Sequence, residues 1–370
     1  MNELKCGLID ELPRLLRELY TECGYSRYRT VGFEEYDLFS EYRDFLTGGQ
    51  MITFTGAGGR LLALKPDITM SIIRDASEQR GRTDKLFYSE SVYRVPSGGD
   101  EFKEILQIGL ECIGDVCAYD RAEVVSLACR TLAVTRCDYM LDISHTGLIE
   151  GIRKLFGISD RLRGELANAL KDKNAPALSL ICSRAGLGEE EISRMIELSR
   201  LSIPIREAGE MLSSLGFSKY AESADAIGEL RLIANALTDE EAEHVRVDLS
   251  VIHGMNYYDG AVFNGYIDGV SEAILKGGEY GRLITKMGRT GSGLGFALYT
   301  DLLELIEGYS PKYAADVLLV SADRDPSMIS TAVKKLKAEG KSVLVQRSAA
   351  GAERCACVMK LNDNGEAEVI

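Results

Sequence analysis

The stretch LFYSESVYRVPSGGDEFKEILQIGLECI, residues 86–113, decides the fold. Leu86–Arg94 and Glu104–Ile113 are extended runs rich in aromatic and β-branched side chains. Between them Val95-Pro-Ser-Gly-Gly-Asp100 gathers turn formers, so the two runs fold back as one long antiparallel hairpin with a glycine-rich tip. Side chains alternate between the two faces of a strand, which puts Gln107 and Glu111 on one face and Arg94 at the mouth of the partner strand. A carboxylate, an amide and a guanidinium converging there would hold a small zwitterion. Arginine grips a carboxylate through two parallel N–H bonds, and glutamate accepts from an amine or an imidazole. Taken alone, the same residues fit the solvated polar face of an antiparallel sheet better than a site.

Upstream, Met51–Phe54 and Leu61–Leu64 flank Gly56-Ala-Gly-Gly59 and predict a second, shorter hairpin. Lys65-Pro-Asp-Ile-Thr69 then leads into a helix over Met70–Ala76 that Asp67 or Thr69 can cap. Near the amino terminus, Leu8, Leu12, Leu15, Leu16 and Leu19 recur at helical spacing within Leu4–Tyr20, with Pro13 kinking or starting the helix. Downstream, a helix over Asp120–Ala133 and a strand over Tyr139–Ile143 close the first half.

Residues 146–240 carry helical periodicity with almost no strand signal, and the strand pattern resumes at Val245–Ile252, Gly260–Tyr266 and Glu272–Ile274. That order predicts an all-helical insertion within an α+β core spanning 1–310, with a split sheet. Gly277 and Gly278 are expected to lead into Tyr280–Lys286, and Leu294–Leu305 to run from strand into helix. Residues 311–370 form a separate small α/β domain: Val317–Val320, a helix over Pro326–Glu339 starting after Asp325, Ser342–Gln346 and Cys355–Leu361.

The composition is that of an ordinary globular chain: 370 residues, 45% hydrophobic and 27% charged. A net charge of -14 repels a polyanion over a Debye length of ~10 Å, so nucleic acid is not an expected partner. No run approaches the ~18 apolar residues of a membrane span, and the acidic, amphipathic opening MNELKCGLIDELPRLL is no secretion signal. A cytosolic protein with no membrane partner is expected. The nine cysteines read as reduced, mostly buried thiols, because Cys355-x-Cys357 has no histidine near it to complete a metal site. Phosphate loop, H-E-x-x-H and G-x-S-x-G signatures are all missing, and neither cofactor nor metal is expected. Of the three histidines, His145, His244 and His253, each reads as a helix-surface or loop residue. In Gly254-Met-Asn-Tyr257-Tyr258-Asp-Gly260 the adjacent tyrosines should point to opposite faces of a strand. One would enter a cavity, where its hydroxyl suits an imidazole; core packing with a surface partner explains the pair equally well.

Six segments, in order, resemble the blocks of the histidyl-tRNA synthetase family, which includes a non-synthetase paralogue, the regulatory subunit of ATP phosphoribosyltransferase. They are Leu64-Lys-Pro-Asp-Ile-Thr69, Val92-Tyr-Arg94, Gln107-Ile-Gly-Leu-Glu111, Gly254-Met-Asn-Tyr-Tyr258, Gly277-Gly-Glu-Tyr280 and Gly293-Leu-Gly-Phe-Ala297. The resemblance covers about residues 1–310 and implies the antiparallel class II aminoacyl-tRNA synthetase sheet flanked by helices, usually in a homodimer, with the helical segment as the family's insertion. It also implies that Asp67, Thr69, Arg94, Gln107, Glu111, Tyr257, Tyr258 and Tyr280 fall on or beside histidine-binding positions. Residues 311–370 resemble a shortened anticodon-binding domain, yet nine Lys and Arg stand there against eight Asp and Glu, too balanced for a grip on RNA phosphates.

The departures bear on function. Where the synthetases carry an arginine before Gly-x-x-Tyr-Tyr, this chain has His253; where they grip ATP phosphates with an arginine after Gly-Phe-Ala, it has Leu302. The hairpin's Arg-x-Glu becomes Arg94-Val95-Pro96, and Asp67 is one methylene shorter than the family's glutamate. Adenylation needs fixed cations around a charged phosphorus, and losing one preorganised donor costs ~10²–10³ in rate. The resemblance therefore implies a non-catalytic regulatory subunit, with no catalytic residue of its own. It would join a short-form ATP phosphoribosyltransferase catalytic subunit in a hetero-oligomer and relay histidine feedback at the first step of histidine biosynthesis. A divergent histidyl-tRNA synthetase and a stand-alone histidine-binding protein are the alternatives.

Overall fold

A computed structural model describes residues 8–46, 51–77, 81–95, 101–252, 257–306, 313–322, 324–362 and 364–370. The chain divides into two compact units, one spanning Ile9–Ile306 and the other containing Glu307–Ile370. In the larger unit, six strands form the centre of the sheet: β1 (Thr83–Arg94), β2 (Lys103–Gly114), β3 (Tyr139–His145), β4 (Ala261–Ile267), β5 (Leu275–Glu279) and β6 (Ser292–Tyr299). They run β1-β2-β6-β5-β4-β3 across the sheet, antiparallel at every step. The predicted hairpin is its longest pairing, in register from Thr83 opposite Gly114 to Arg94 opposite Lys103.

Short edge strands bring the sheet to nine. Ser26–Arg27 pairs parallel to β1, Val245–Asp248 parallel to β3, and Ser202–Pro204 antiparallel to Val245–Asp248. One face is covered by α1 (Leu8–Glu22) and α2 (Ala118–Val134). The leucine stripe of α1 works as its spacing predicts: Leu12 and Leu16 are fully buried, and the buried Tyr20 hydroxyl meets Thr131 Oγ1 of α2 at 2.9 Å. On α2, Leu127, Ala128 and Leu132 are buried, with α2 against β3, β4 and β6. The opposite face carries the cavity described below.

Several boundaries move for identifiable reasons. The helix expected over Met70–Ala76 spans Thr69–Asp75, and Pro13 lies inside α1 rather than at its start. The insertion is helical from Thr146–Leu155 to Asp239–Glu243 except for the edge strand Ser202–Pro204, three residues too short to leave a periodic signal. Gly277 and Gly278 lead into Tyr280–Lys286 as expected, but the strand before that helix is not Glu272–Ile274 but β5 at Leu275–Glu279, which contains both glycines. There a Cβ on Gly277 would sit 2.5 Å from the Gly295 carbonyl oxygen, so the absence of a side chain reflects close packing and not a turn. Leu294–Leu305 divides at Tyr299, where β6 gives way to a 3₁₀ turn over Thr300–Leu305. A strand at Phe33–Glu35, unmarked in the sequence reading, joins Leu61–Leu64 and Thr53–Thr55 in a small antiparallel sheet.

The smaller unit is a four-stranded sheet in which Ala315–Val320 lies between Val343–Gln346 and Cys355–Leu361, parallel to both, with Ala367–Val369 antiparallel at the edge. Both faces of the central strand are buried, Leu318 against Ala315 and Cys355, Leu319 against Ala332 and Leu361. Its helix, Pro326–Ala338, starts at Asp325, whose carboxylate accepts the Ser327 N–H at 2.8 Å.

Because Leu132 packs at zero exposure between α2 and the sheet, Leu132→Ala is expected to lower the unfolding free energy by ~2–5 kcal/mol, read from urea titration. A loss below about 1 kcal/mol would mean that this helix face does not carry the core.

Candidate functional site

Residues directly opposite each other on antiparallel strands share a face. Gln107 pairs with Tyr299 and Glu111 with Gly295 across β2 and β6, while Ala297 pairs with Lys276 across β6 and β5. All six therefore project to the face away from α2, joined from β1 by Tyr88, opposite Gly109, and by Arg94, six residues along the same strand. They floor a cavity of about 330 Å³. The floor is low because Gly109, Gly295 and Ala297 present almost no side chain; a Cβ on Gly295 would lie 1.8 Å from Glu111 Oε2.

The walls come from elsewhere in the chain. Asp67 and Thr69 stand at the start of the helix Thr69–Asp75, where Asp67 Oδ1 accepts the Met70 N–H at 2.9 Å. Tyr280 follows β5 directly, and Tyr257 and Tyr258 approach from a turn. Here the sequence reading needs correction: the two tyrosines do not point to opposite faces of a strand, because residues 257–260 are not extended, and both rings line the cavity, 4.7 Å apart and edge-on. Asp44, Phe45 and Leu46 complete the wall, with the Phe45 ring 6.2 Å from that of Tyr257.

All eight residues assigned to histidine binding by resemblance thus lie on one cavity: Asp67, Thr69, Arg94, Gln107, Glu111, Tyr257, Tyr258 and Tyr280. Three more were legible but not drawn out. Tyr88 has the strand parity of Arg94, Tyr299 is opposite Gln107, and Lys276 is two residues before Gly278. Asp44–Leu46 carries no periodic signal at all. Of the three degenerate positions, Leu302 is half-buried in the 3₁₀ turn after β6, while His253 and Pro96 lie outside the described residues. His145 and His244 serve local structure: the His145 ring accepts the Gly147 N–H at a helix start, and His244 stacks on Tyr139.

The cavity has an acidic end and a basic end. Glu111 is 2% exposed and accepts from Thr69 Oγ1 at 2.7 Å and from the Tyr280 hydroxyl at 2.5 Å. Burial favours its neutral form and outweighs those two bonds, with the Asp67 charge adding to it, so its pKa is pushed up to about 8. Burial raises the pKa of Asp67 as well, opposed by the Met70 N–H and by Arg94. Burial also holds the hydroxyls of Tyr88, Tyr257, Tyr258 and Tyr280 well above their usual pKa, leaving them neutral. At the other end, the guanidinium of the buried Arg94 lies over the Tyr299 ring, 5.2 Å from its centre. A cavity with a buried carboxyl and a fixed cation suits a molecule with a positive group, which draws the proton from the carboxyl, and a carboxylate.

A hairpin-borne site on an antiparallel sheet with helices on the other face defines a class II aminoacyl-tRNA synthetase-like protein, and the histidyl-tRNA synthetase family pattern matches residues 4–303. The ATP phosphoribosyltransferase regulatory subunit of Desulforamulus reducens is 30% identical over 360 residues, covering 91% of this chain and 88% of its own. The crystal structure of an ATP phosphoribosyltransferase regulatory subunit/histidyl-tRNA synthetase from Bacillus halodurans shares the fold, with a TM-score of 0.76, 24% identity and coverage of 95% and 93% of the two chains. A chain of the ATP phosphoribosyl transferase (HisG:HisZ) complex from Thermotoga maritima does so at a TM-score of 0.61 and 20% identity, over 79% of this chain and 97% of that one. The chain belongs to the ATP phosphoribosyltransferase regulatory subunit family of histidine biosynthesis, the histidyl-tRNA synthetase-like branch of this fold.

Two outcomes follow from the geometry. Gly295→Ala forces a methyl group into the Glu111 carboxyl and should abolish ligand binding measured by calorimetry; unchanged affinity would place the ligand elsewhere. The folded pKa of Glu111, about 8, lies above the reference value of 4.5, so its stabilising contribution is present at low pH and is lost as pH rises through that interval. Between about pH 5 and pH 8 the melting temperature of Glu111→Gln should fall less than that of the parent chain. Parallel curves would contradict a neutral buried carboxyl.

Proposed function

We propose that this chain is a non-catalytic regulatory subunit that binds histidine in the cavity. As a homodimer in the cytoplasm it joins a short-form ATP phosphoribosyltransferase catalytic subunit, which needs it for activity and through it receives histidine feedback. One observation carries the reading: Glu111 and Arg94 line one cavity with Gln107 between them along the hairpin and Asp67 acting electrostatically on both, an arrangement that suits a free amino acid with a basic side chain. The homologous fold in the Thermotoga maritima HisG:HisZ complex supports the catalytic subunit as partner.

On the synthetase side the support is missing. Leu302 replaces a phosphate-gripping arginine, His253 replaces the arginine before the glycine, and residues 311–370 carry nearly equal numbers of basic and acidic side chains. Feedback requires histidine to prefer one arrangement of the assembly over another, and ~1–3 kcal/mol of preference suffices.

Mixing the purified chain with a short-form catalytic subunit should raise the rate of phosphoribosyl-ATP formation, and added histidine should lower it again. No co-elution and no change in rate would refute the proposal. Histidine-dependent ATP–pyrophosphate exchange should be absent; a signal there restores the synthetase reading. A positive group docking beside Glu111 lowers its pKa, so histidine binding near pH 7 should release up to one proton. Calorimetric heats should therefore vary with the buffer's ionisation enthalpy, and that dependence should vanish in Glu111→Gln.

A further inference from the structure

We infer that Lys276 is the second anchor of the ligand's carboxylate, paired with Arg94 at the basic end of the cavity. The inference rests on the histidine-site reading above and adds a residue outside the eight positions given by resemblance. Lys276 lies on β5 opposite Ala297, in the row that also places Asn264 of β4, so strand parity sends its side chain to the cavity face. It lines the cavity, and its ammonium lies 5.6 Å from the centre of the Tyr299 ring. Arg94 lies 5.2 Å from the same ring. One aromatic ring thus gathers two cations at one end of the cavity, and Gln107, directly opposite Tyr299, adds an amide.

Neither cation has a carboxylate within ion-pair distance among the described residues, and the Tyr299 ring is the partner that both share. The carboxyls of Glu111 and Asp67 are engaged with Thr69, Tyr280 and the Met70 N–H. Arg94 feels the charge of Asp67 from beyond ion-pair distance, so an anion entering beside Arg94 and Lys276 gains the attraction of both without displacing a direct ion pair. A ligand carboxylate supplies that anion and can take a charge-assisted bond from each cation. Lys276 therefore selects for a free carboxylate over an amide or ester of the same amino acid.

Calorimetric titration of L-histidine and of L-histidinamide, which lacks the carboxylate charge, into the full-length chain and into Lys276→Met and Lys276→Arg tests this. The parent chain should bind histidine and discriminate against the amide. Lys276→Met should weaken histidine ~10- to 100-fold while leaving histidinamide affinity unchanged, and Lys276→Arg should keep most of the discrimination. Equal affinity of Lys276→Met and the parent chain for histidine overturns the role of Lys276 and leaves the histidine site standing. An equal loss for both ligands, or a loss in Lys276→Arg as large as in Lys276→Met, reduces Lys276 to a packing role and also overturns the inference. If the parent chain binds no histidine, the histidine-site reading falls and takes this one with it.

Discussion

A carboxyl buried without a cation sets the terms for this fold. Glu111 sits at 2% exposure in the middle of the sheet, and burying a charged group that deeply without a partner is far costlier than burying a neutral one. The protein meets that cost with two hydroxyls, from Thr69 at a helix start and Tyr280 at a strand end, and with a proton. Those contacts bring segments 42 and 169 residues away onto one sheet face. Gly295 clears the space in which the carboxyl lies. The cavity therefore owes its shape to the accommodation of one side chain.

How much of this could be read beforehand depended on the range of the signal. The hairpin of β1 and β2 was legible because strand parity and a turn-rich linker are local, and the same parity put Gln107 and Glu111 together. The parallel edge strands were not, since Ser26–Arg27 and Ser202–Pro204 are held by pairing with distant partners and are too short to show a period. The strand Leu275–Glu279 was placed too early, at Glu272–Ile274, for a related reason: glycines wanted for close packing inside a strand, Gly277 and Gly278, carry no strand signal in sequence. The site itself was assembled by resemblance to a family. Elementary chemistry alone favoured a solvated sheet face, because what distinguishes the two is the third dimension, the walls supplied by Asp67, Tyr257 and Tyr280.

Binding and catalysis make separable demands on such a cavity. Holding an amino acid needs complementary charges that stay put, and in the proposed reading Glu111, Asp67 and Arg94 supply them. Activating it needs cations arranged around a phosphorus whose charge grows during the reaction, and these are the positions at which the chain carries Leu302 and His253. Keeping the first set while losing the second would leave ligand recognition as the output, which the proposed regulatory role requires.

Recognition becomes regulation only when occupancy favours one arrangement of the protein over another. The chain leading to Tyr280 is tied to the rest of the unit through its neighbour: Arg121 of α2 grips Glu279 with bonds of 3.0 and 2.6 Å, and Ser292 adds a third. The same guanidinium lies 3.4 Å from Glu229, on the insertion helix Ala221–Ala236, and Glu229 in turn lies 3.7 Å from the His145 ring at the end of β3. The residue that donates to Glu111 is therefore one peptide away from a charged contact that joins the sheet to the helical insertion. Arg121 thus bridges the strand end before Tyr280 and the helix that carries Glu229. That bridge is the contact through which occupancy of the cavity and the placement of the insertion could favour one another, as the proposed regulation requires.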